Sequence, residues 1–422
     1  MIANLEIAPT TIPTRSSLLM QTNLAEFIKD TDQGKEADRI LRTCVHCGFC
    51  NATCPTFQLL GDELDGPRGR IYLIKQVLEG NPPTRRTQVH LDRCLTCINC
   101  ETTCPSGVKY SKLVDIGRER VDKQVKRPRL ERLQRRGLRL VMPYPRRFTP
   151  LLRLGQLFRP LLPSTLKTKI PPRIATGTWP HTQHARKMLI LEGCVQPAIS
   201  PAINAATARV LDRLGIRVIR AAGAGCCGAL SHHLTAPIEA KGFMKRNIDA
   251  WWPHIEAGSE AIVMTASGCG SVVKDYGRIL QDDPDYRDKA KKVSKLTKDL
   301  SEILRDEDTS QLRSQESRKI AFHPPCTLQH GQQIQGVVER LLTEAGLNLM
   351  PVADSHLCCG SAGTYSFLQV DLSQQLLNDK LEKLQGNGPE LIATANIGCL
   401  AHLQTKAKVP VVHWVELLNP QP

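Results

Sequence analysis

The chain has 422 residues, 41% of them hydrophobic, with sixteen cysteines and a formal net charge of +15. That length supports two or three packed domains, and no uninterrupted apolar run reaches the length of a membrane span. The start lacks a secretory signal, so the cysteines read as reduced intracellular thiols available to metal rather than as a disulfide framework.

In chain order, residues 1–19 (MIANLEIAPTTIPTRSSLL) read as a disordered extension or a start-site artefact, because Met20 opens a more ordinary beginning. Residues 20–125 read as an all-α domain, with helices over 24–43 and 111–125 and an amphipathic helix after Gly66-Pro67. Within it, CVHCGFCNATCP and CLTCINCETTCP repeat one pattern, C-x2-C-x2-C-x3-C-P, at an offset of fifty residues. In such a run three thiolates address one cluster and the fourth addresses the other cluster of a pair. Cys44, Cys47, Cys50 and Cys104 are therefore expected to hold one [4Fe–4S] cluster, and Cys94, Cys97, Cys100 and Cys54 the second. Pro55 and Pro105 turn the chain at each fourth ligand. Zinc favours two separated cysteine pairs and fits this spacing poorly.

Residues 126–184 form a basic apolar linker. Between Lys126 and Arg173 lie fourteen Lys or Arg and one acid, Glu131, a local net of +13. Apolar residues such as Leu130, Leu133, Leu151, Leu154, Leu157 and Phe158 recur among the cations, and prolines break the segment into short pieces. The pattern suits an anionic membrane surface. A solvated linker and a subunit-packing surface are the plainer alternatives. Aliphatic rather than aromatic neighbours count against nucleic acid.

The remaining cysteines form a second duplication: Cys194, Cys226, Cys227 and Cys269, then Cys326, Cys358, Cys359 and Cys399. The offset is 132 residues for the first three and 130 for the last. Both copies contain CCG, and each reads as alternating strand and helix, over 185–318 and 319–422. The fold class is α+β multidomain: an all-α ferredoxin-like dicluster domain, then two homologous α/β CCG units with mostly parallel sheets. All eight cysteines are expected at strand ends or in adjoining loops, where ligand sites of open α/β sheets gather. Each unit is expected to hold a further iron–sulfur cluster or another thiolate-bound metal, with His232, His233, His323, His330, His356 and His402 as nearby ligands or hydrogen-bond partners. Buried structural or redox-active thiols without metal, or zinc, are the alternative. Gly223, Gly225 and Gly228 form a formal G-x-G-x-x-G, but SHLCCG in the second copy lacks the first two glycines, so the shared cysteines carry the chemistry.

The whole arrangement resembles the iron–sulfur subunits of glycolate oxidase (glycolate dehydrogenase). The resemblance rests on LRTCVHCGFCNATCPTFQLLGDELDGPRGRIYLIKQVLEG, LDRCLTCINCETTCPSGV, NAATARVLDRLG, NIDAWWPHIEAG, TASGCG, CTLQH, DSHLCCGSAGTY and TANIGC, and it covers residues 20–420. It implies electron transfer from FAD-binding partner subunits, which oxidise glycolate to glyoxylate, toward a membrane quinone. It also implies a cytoplasmic chain held peripherally at the inner (plasma) membrane. No flavin site and no catalytic acid, base or nucleophile is read in this chain, and no nucleic-acid partner is expected. Lactate and glycerol-3-phosphate dehydrogenase subunits share CCG units and are the alternative substrate classes. A scaffold for flavoproteins and an iron–sulfur nucleic-acid protein are rivals of other classes. In heterodisulfide reductase the last cysteine belongs to a C-x2-C pair; here Val272 and His402 stand at the second position, so that enzyme's five-cysteine site does not carry over.

Overall fold

A computed structural model describes residues 20–163, 167 and 170–418; the extension expected over 1–19 lies outside them. The chain divides into two compact units. One comprises the residues up to Asp92 together with Cys100–Lys126; the other comprises Arg93–Asn99 together with the chain from Arg127 onward.

The first unit is helical. Its main helices are α1 (Asp32–Thr43), α2 (Pro67–Leu78), α3 (Arg85–Asp92) and α4 (Tyr110–Gln124). Helix α1 starts later than the expected 24–43, because the Thr31 hydroxyl caps it by accepting a bond from Gly34 N at 3.0 Å. A Cβ at position 34 would stand 1.9 Å from the Ile28 carbonyl oxygen, so the preceding turn can fold against α1 only over glycine. Helix α2 begins with Pro67 in its first turn and buries Ile71, Ile74, Val77 and Leu78.

In the second unit, α5 (Arg129–Val141) and α6 (Pro145–Phe158) occupy the linker. Instead of the short pieces expected, these helices have 13 and 14 residues. Pro145 sits in the first turn of α6, where its missing N–H costs nothing, and α6 also accommodates Pro150. The linker corner is fastened down: Arg139 pairs with Glu239 at 3.1 Å, and the Tyr144 ring packs 5.4 Å from Phe243.

Two four-stranded sheets follow, of order β2-β1-β3-β4 and β6-β5-β7-β8, with every pair parallel. The strands are β1 (Arg186–Ile190), β2 (Ile216–Arg220), β3 (Ile262–Met264), β4 (Thr297–Asp299), β5 (Lys319–His323), β6 (Asn348–Met350), β7 (Leu391–Thr394) and β8 (Val411–His413). Their main partners are α7 (Ala202–Arg213), α8 (Pro237–Glu256), α9 (Ser267–Lys274), α10 (Val337–Glu344), α11 (Val370–Gln385) and α12 (Ile397–Leu403). The duplication holds to the register: Ile190 pairs with Val263 in the first sheet, as Phe322 pairs with Ala393 in the second. Met188 and Ile190 point into a core shared by both sheets, while Leu189 and Leu191 point into a second core with Met244 and Trp251. Coverage on both faces is what allows a purely parallel sheet.

One expectation is corrected. Strands β3 and β7 stop at Met264 and Thr394, short of the last cysteines, and Cys269 and Cys399 fall within α9 and α12. The helices begin right after extended N-cap residues, Ala266 and Asn396, so the cysteines three residues on fall in the first helical turn.

Candidate metal centres

Both ferredoxin motifs adopt the same backbone. His46 and Gly48 have φ of 54° and 86°, and Thr96 and Ile98, fifty residues on, have 54° and 64°. Left-handed residues alternating with ordinary ones gather amide N–H groups into an anion-binding concavity. Short helices, Phe49–Ala52 and Asn99–Thr103, follow in each copy. The residues before the two fourth cysteines meet, with Thr53 Oγ1 and Thr103 Oγ1 3.0 Å apart.

Cys44, Cys47, Cys50 and Cys104 line one cavity, bordered also by Cys100, Arg68, Ile71 and Tyr110. Cys54 does not line it. Its sulfur sits against Thr56 Oγ1 at 3.4 Å and Arg70 Nη1 at 4.0 Å, both fully buried. Burial raises the Cys44 thiol and pushes Cys50 up to about 11, with the neighbouring sulfurs adding to both shifts. Such thiols ionise when a cation arrives, which is the chemistry of a metal ligand set rather than of a free nucleophile. Arg68 places a guanidinium beside this cavity, held by Glu63 at 2.7 Å.

Behind Cys54 lies a buried polar network. Asp65 accepts from Arg70 Nη2 at 3.4 Å and meets His90 Nδ1 at 3.0 Å, while Arg70 also donates to Thr56 and to the His90 carbonyl. Asp62, Asp65 and His90 bring potential metal ligands together, but the carboxylate of Asp65 is already engaged by a buried cation. Among the second ferredoxin set, Cys54 and Cys100 belong to the first compact unit, and Cys94 and Cys97 to the second.

In the cysteine-rich half the four thiols of each set are close enough to act on one another. Cys194 bonds Cys226, Cys226 bonds Cys227, and Cys227 bonds Cys269. Cys326 Sγ lies 3.9 Å from Cys358 Sγ, and Cys359 bonds both Cys358 and Cys399. Hydrogen bonding to Cys226 and burial hold the Cys194 thiol well above its usual range, and Cys358 and burial do the same to Cys326. The glycine of each CCG lies on a crossing of backbones. At Gly228 and Gly360, φ is 88° and 85°, and a Cβ would come within 2.9 Å of the Ala240 carbonyl oxygen and 2.7 Å of that of Ser373. Both amides donate to the first sulfur of the pair at 3.4 Å.

The two sets touch through Asn396. Its Oδ1 accepts from Gly268 N at 3.2 Å and its Nδ2 donates to Cys399 Sγ at 3.5 Å. Behind the thiols, Asn247 bridges Gly225 N and the Cys226 carbonyl at 2.8 Å each. On the matching helix of the second copy, buried Lys380 donates to the Asp354 and Ser355 carbonyls at 3.0 Å each. Desolvation lowers its pKa to about 8, against the pull of Cys359 and Cys358.

The six candidate histidines separate. His402 meets Ser373 at 3.2 Å, His330 meets the His356 carbonyl at 3.0 Å, and His232 packs edge-on against His233. His323 joins Cys359 and Cys399, with its ligand nitrogen and their sulfurs all within 4.8 Å of one another. Sequence spacing missed a further neighbour. Asn99 Nδ2 donates to the His356 carbonyl at 3.3 Å, and the sulfur of Cys97 is near enough to act electrostatically on Cys358. No periodicity signals a contact across 257 residues.

Comparison with known proteins agrees with this organisation. Residues 40–108 match the 4Fe-4S dicluster domain, and 188–274 and 320–404 match the cysteine-rich domain. The chain is 56% identical over 401 residues to the glycolate oxidase iron-sulfur subunit of Escherichia coli K12, covering 95% of this chain and 98% of that one. It is 29% identical to the probable glycolate oxidase iron-sulfur subunit of Bacillus subtilis, covering 93% and 95%. Lactate utilization protein A of Bacillus subtilis is 28% identical over 55% of this chain and 99% of its own. With one dicluster domain, two cysteine-rich domains and a relative matched from end to end, the chain belongs to the family of glycolate oxidase iron–sulfur subunits.

Proposed function

We propose that this chain relays electrons from FAD-binding partner subunits that oxidise glycolate to glyoxylate, delivering them to a membrane quinone. The observation that carries the reading is the cavity lined by Cys44, Cys47, Cys50 and Cys104, because one motif alone cannot supply its ligands. In this reading those four hold one [4Fe–4S] cluster and Cys94, Cys97, Cys100 and Cys54 the other. The clusters supply one-electron steps that divide a flavin's electron pair. The chain's own residues hold the ligands, exclude water with Ile71 and Tyr110, and place the Arg68 cation against the added negative charge. The CCG cysteines supply thiolates for a further iron–sulfur cluster or metal ion. The domains run over 20–125, 126–184, 185–318 and 319–422.

Among the described residues no helix is long and apolar enough to cross a membrane. Helices α5 and α6 instead expose Leu130, Leu133, Leu151, Leu154, Leu157 and Phe158 among arginines. This face docks a cytoplasmic chain peripherally on the anionic inner membrane. The likeness to lactate utilization protein A makes lactate the second substrate class.

The test is glycolate-dependent quinone reduction in membranes from cells lacking this chain. Loss of that activity, restored by the wild-type chain but not by Cys104→Ser, supports the relay. Full activity without the chain refutes it.

A further inference from the structure

His323 ends β5, is 1% exposed, and among the described residues has no hydrogen-bond partner at either ring nitrogen. A buried imidazole with both nitrogens unmatched forfeits hydrogen bonds that water would give it, so it needs an explanation. Its neighbours provide one, since Cys359 and Cys399 are buried and lie with it inside 4.8 Å.

We infer that His323, Cys359 and Cys399 form a mixed imidazole–thiolate site for a single zinc-class divalent ion, with Cys358 as the fourth ligand. Ligand atoms on one tetrahedral ion stand roughly 3.5–4 Å apart, given metal bonds of about 2.0–2.3 Å. Ligands of a four-iron cube each bind a different iron and stand further apart. The compact spacing here fits the single ion. Cys358 adjoins Cys359 in the CCG loop and interacts with it, which makes it the thiol to complete the set.

The first cysteine-rich unit acts as a built-in comparison. The residue matching His323 is Leu191, which continues β1 in the same register and packs in the core. Counted from Ala240 and Ser373, whose carbonyls cross the CCG glycines, the residue matching Lys380 is the neutral Asn247. A divalent ion on three thiolates and an imidazole carries one net negative charge, and the buried ammonium of Lys380 balances it. Both substitutions that suit such an ion occur in the second unit alone. The ion would also fasten the Cys358–Cys359 loop, beside which Cys97 and Asn99 lie.

This inference builds on the proposed CCG metal sites but not on the ferredoxin clusters, so iron and zinc report on separate claims. The experiment is metal analysis of the full-length protein, purified without oxygen, with cobalt substitution of the zinc. The wild type should contain one zinc per chain beside about eight iron, and its cobalt form should show thiolate-to-cobalt charge transfer. His323→Leu, which copies the first unit, should lose at least nine-tenths of the zinc with iron unchanged. His323→Cys should restore it with an altered cobalt spectrum, and this variant decides the matter if the leucine variant fails to fold. Wild type without zinc, zinc retained in His323→Leu, or zinc not restored in His323→Cys would each overturn the site. Iron clearly above eight with matching sulfide and no zinc would assign these thiols to a cluster instead, whereas absent iron beside intact zinc would count against the relay alone.

Discussion

The hydroxyls of Thr53 and Thr103 stand 3.0 Å apart, joining equivalent positions of two motifs fifty residues apart in sequence. Each threonine precedes the cysteine that the proposed assignment gives to the other cluster. Cys104→Ser should therefore damage the cluster held by Cys44, Cys47 and Cys50. Paramagnetic resonance of the reduced protein should lose that signal first. An effect confined to the Cys94, Cys97 and Cys100 cluster would reverse the assignment.

Arg70 and Asp65 are a fully buried pair beneath Cys54. Removing Arg70 leaves the Asp65 carboxylate buried without its guanidinium, with His90 still beside it, at a cost of about 3–5 kcal/mol. Arg70→Leu should lower stability by that amount in urea unfolding and weaken the cluster that Cys54 serves. Adding Asp65→Asn should recover much of the loss. A single variant as stable as wild type would show that the pair is solvated.

His413 is buried, its Nε2–H donates to the Thr265 carbonyl at 2.9 Å, and its Nδ1 accepts from Val415 N at 3.3 Å. Burial pushes its pKa down from 6.5 to about 4. Between those values the unfolded chain binds the extra proton and the folded one does not, so stability rises with pH there. The contribution is complete above pH 6.5 and falls away as pH drops toward 4, by about 3 kcal/mol. His413→Asn should flatten that part of the stability profile. An unchanged profile would place the acid sensitivity elsewhere.

Leu151, Leu154, Leu157 and Leu161 are each more than half exposed. Replacing them with serine should reduce sedimentation with anionic vesicles at least tenfold, since each buried side chain contributes roughly 1–2 kcal/mol. Neutral vesicles should bind the wild type weakly. Equal binding of wild type and variant would make α5 and α6 a packing surface.

Much of this architecture could be read from the sequence. Cysteine spacing revealed both duplications, and apolar runs marked β1, β2, β3, β5, β6 and β7. Strand β4 (TKD) escaped because two of its three side chains are charged and its pairing is fixed by tertiary contact with β3. Lys380 and Asn247 carry no motif; their roles come from helices laid behind the CCG turns. His323 was one of six candidates by proximity in sequence, and only the fold could single it out. Ile98 gives no sign of a left-handed backbone either. Its counterpart Gly48 adopts that conformation freely, whereas a β-branched residue must be forced into it by its surroundings.

With the fourth ligands exchanged as proposed, assembly of the clusters also has a temporal side. A chain emerging from the ribosome presents Cys44, Cys47, Cys50 and Cys54 first, and these four do not make a site. The second set becomes complete at Cys100 and the first only at Cys104. Under that assignment cluster insertion waits for the second motif and follows nearly at once for both, so a chain interrupted before residue 100 is expected to stay free of iron rather than half loaded.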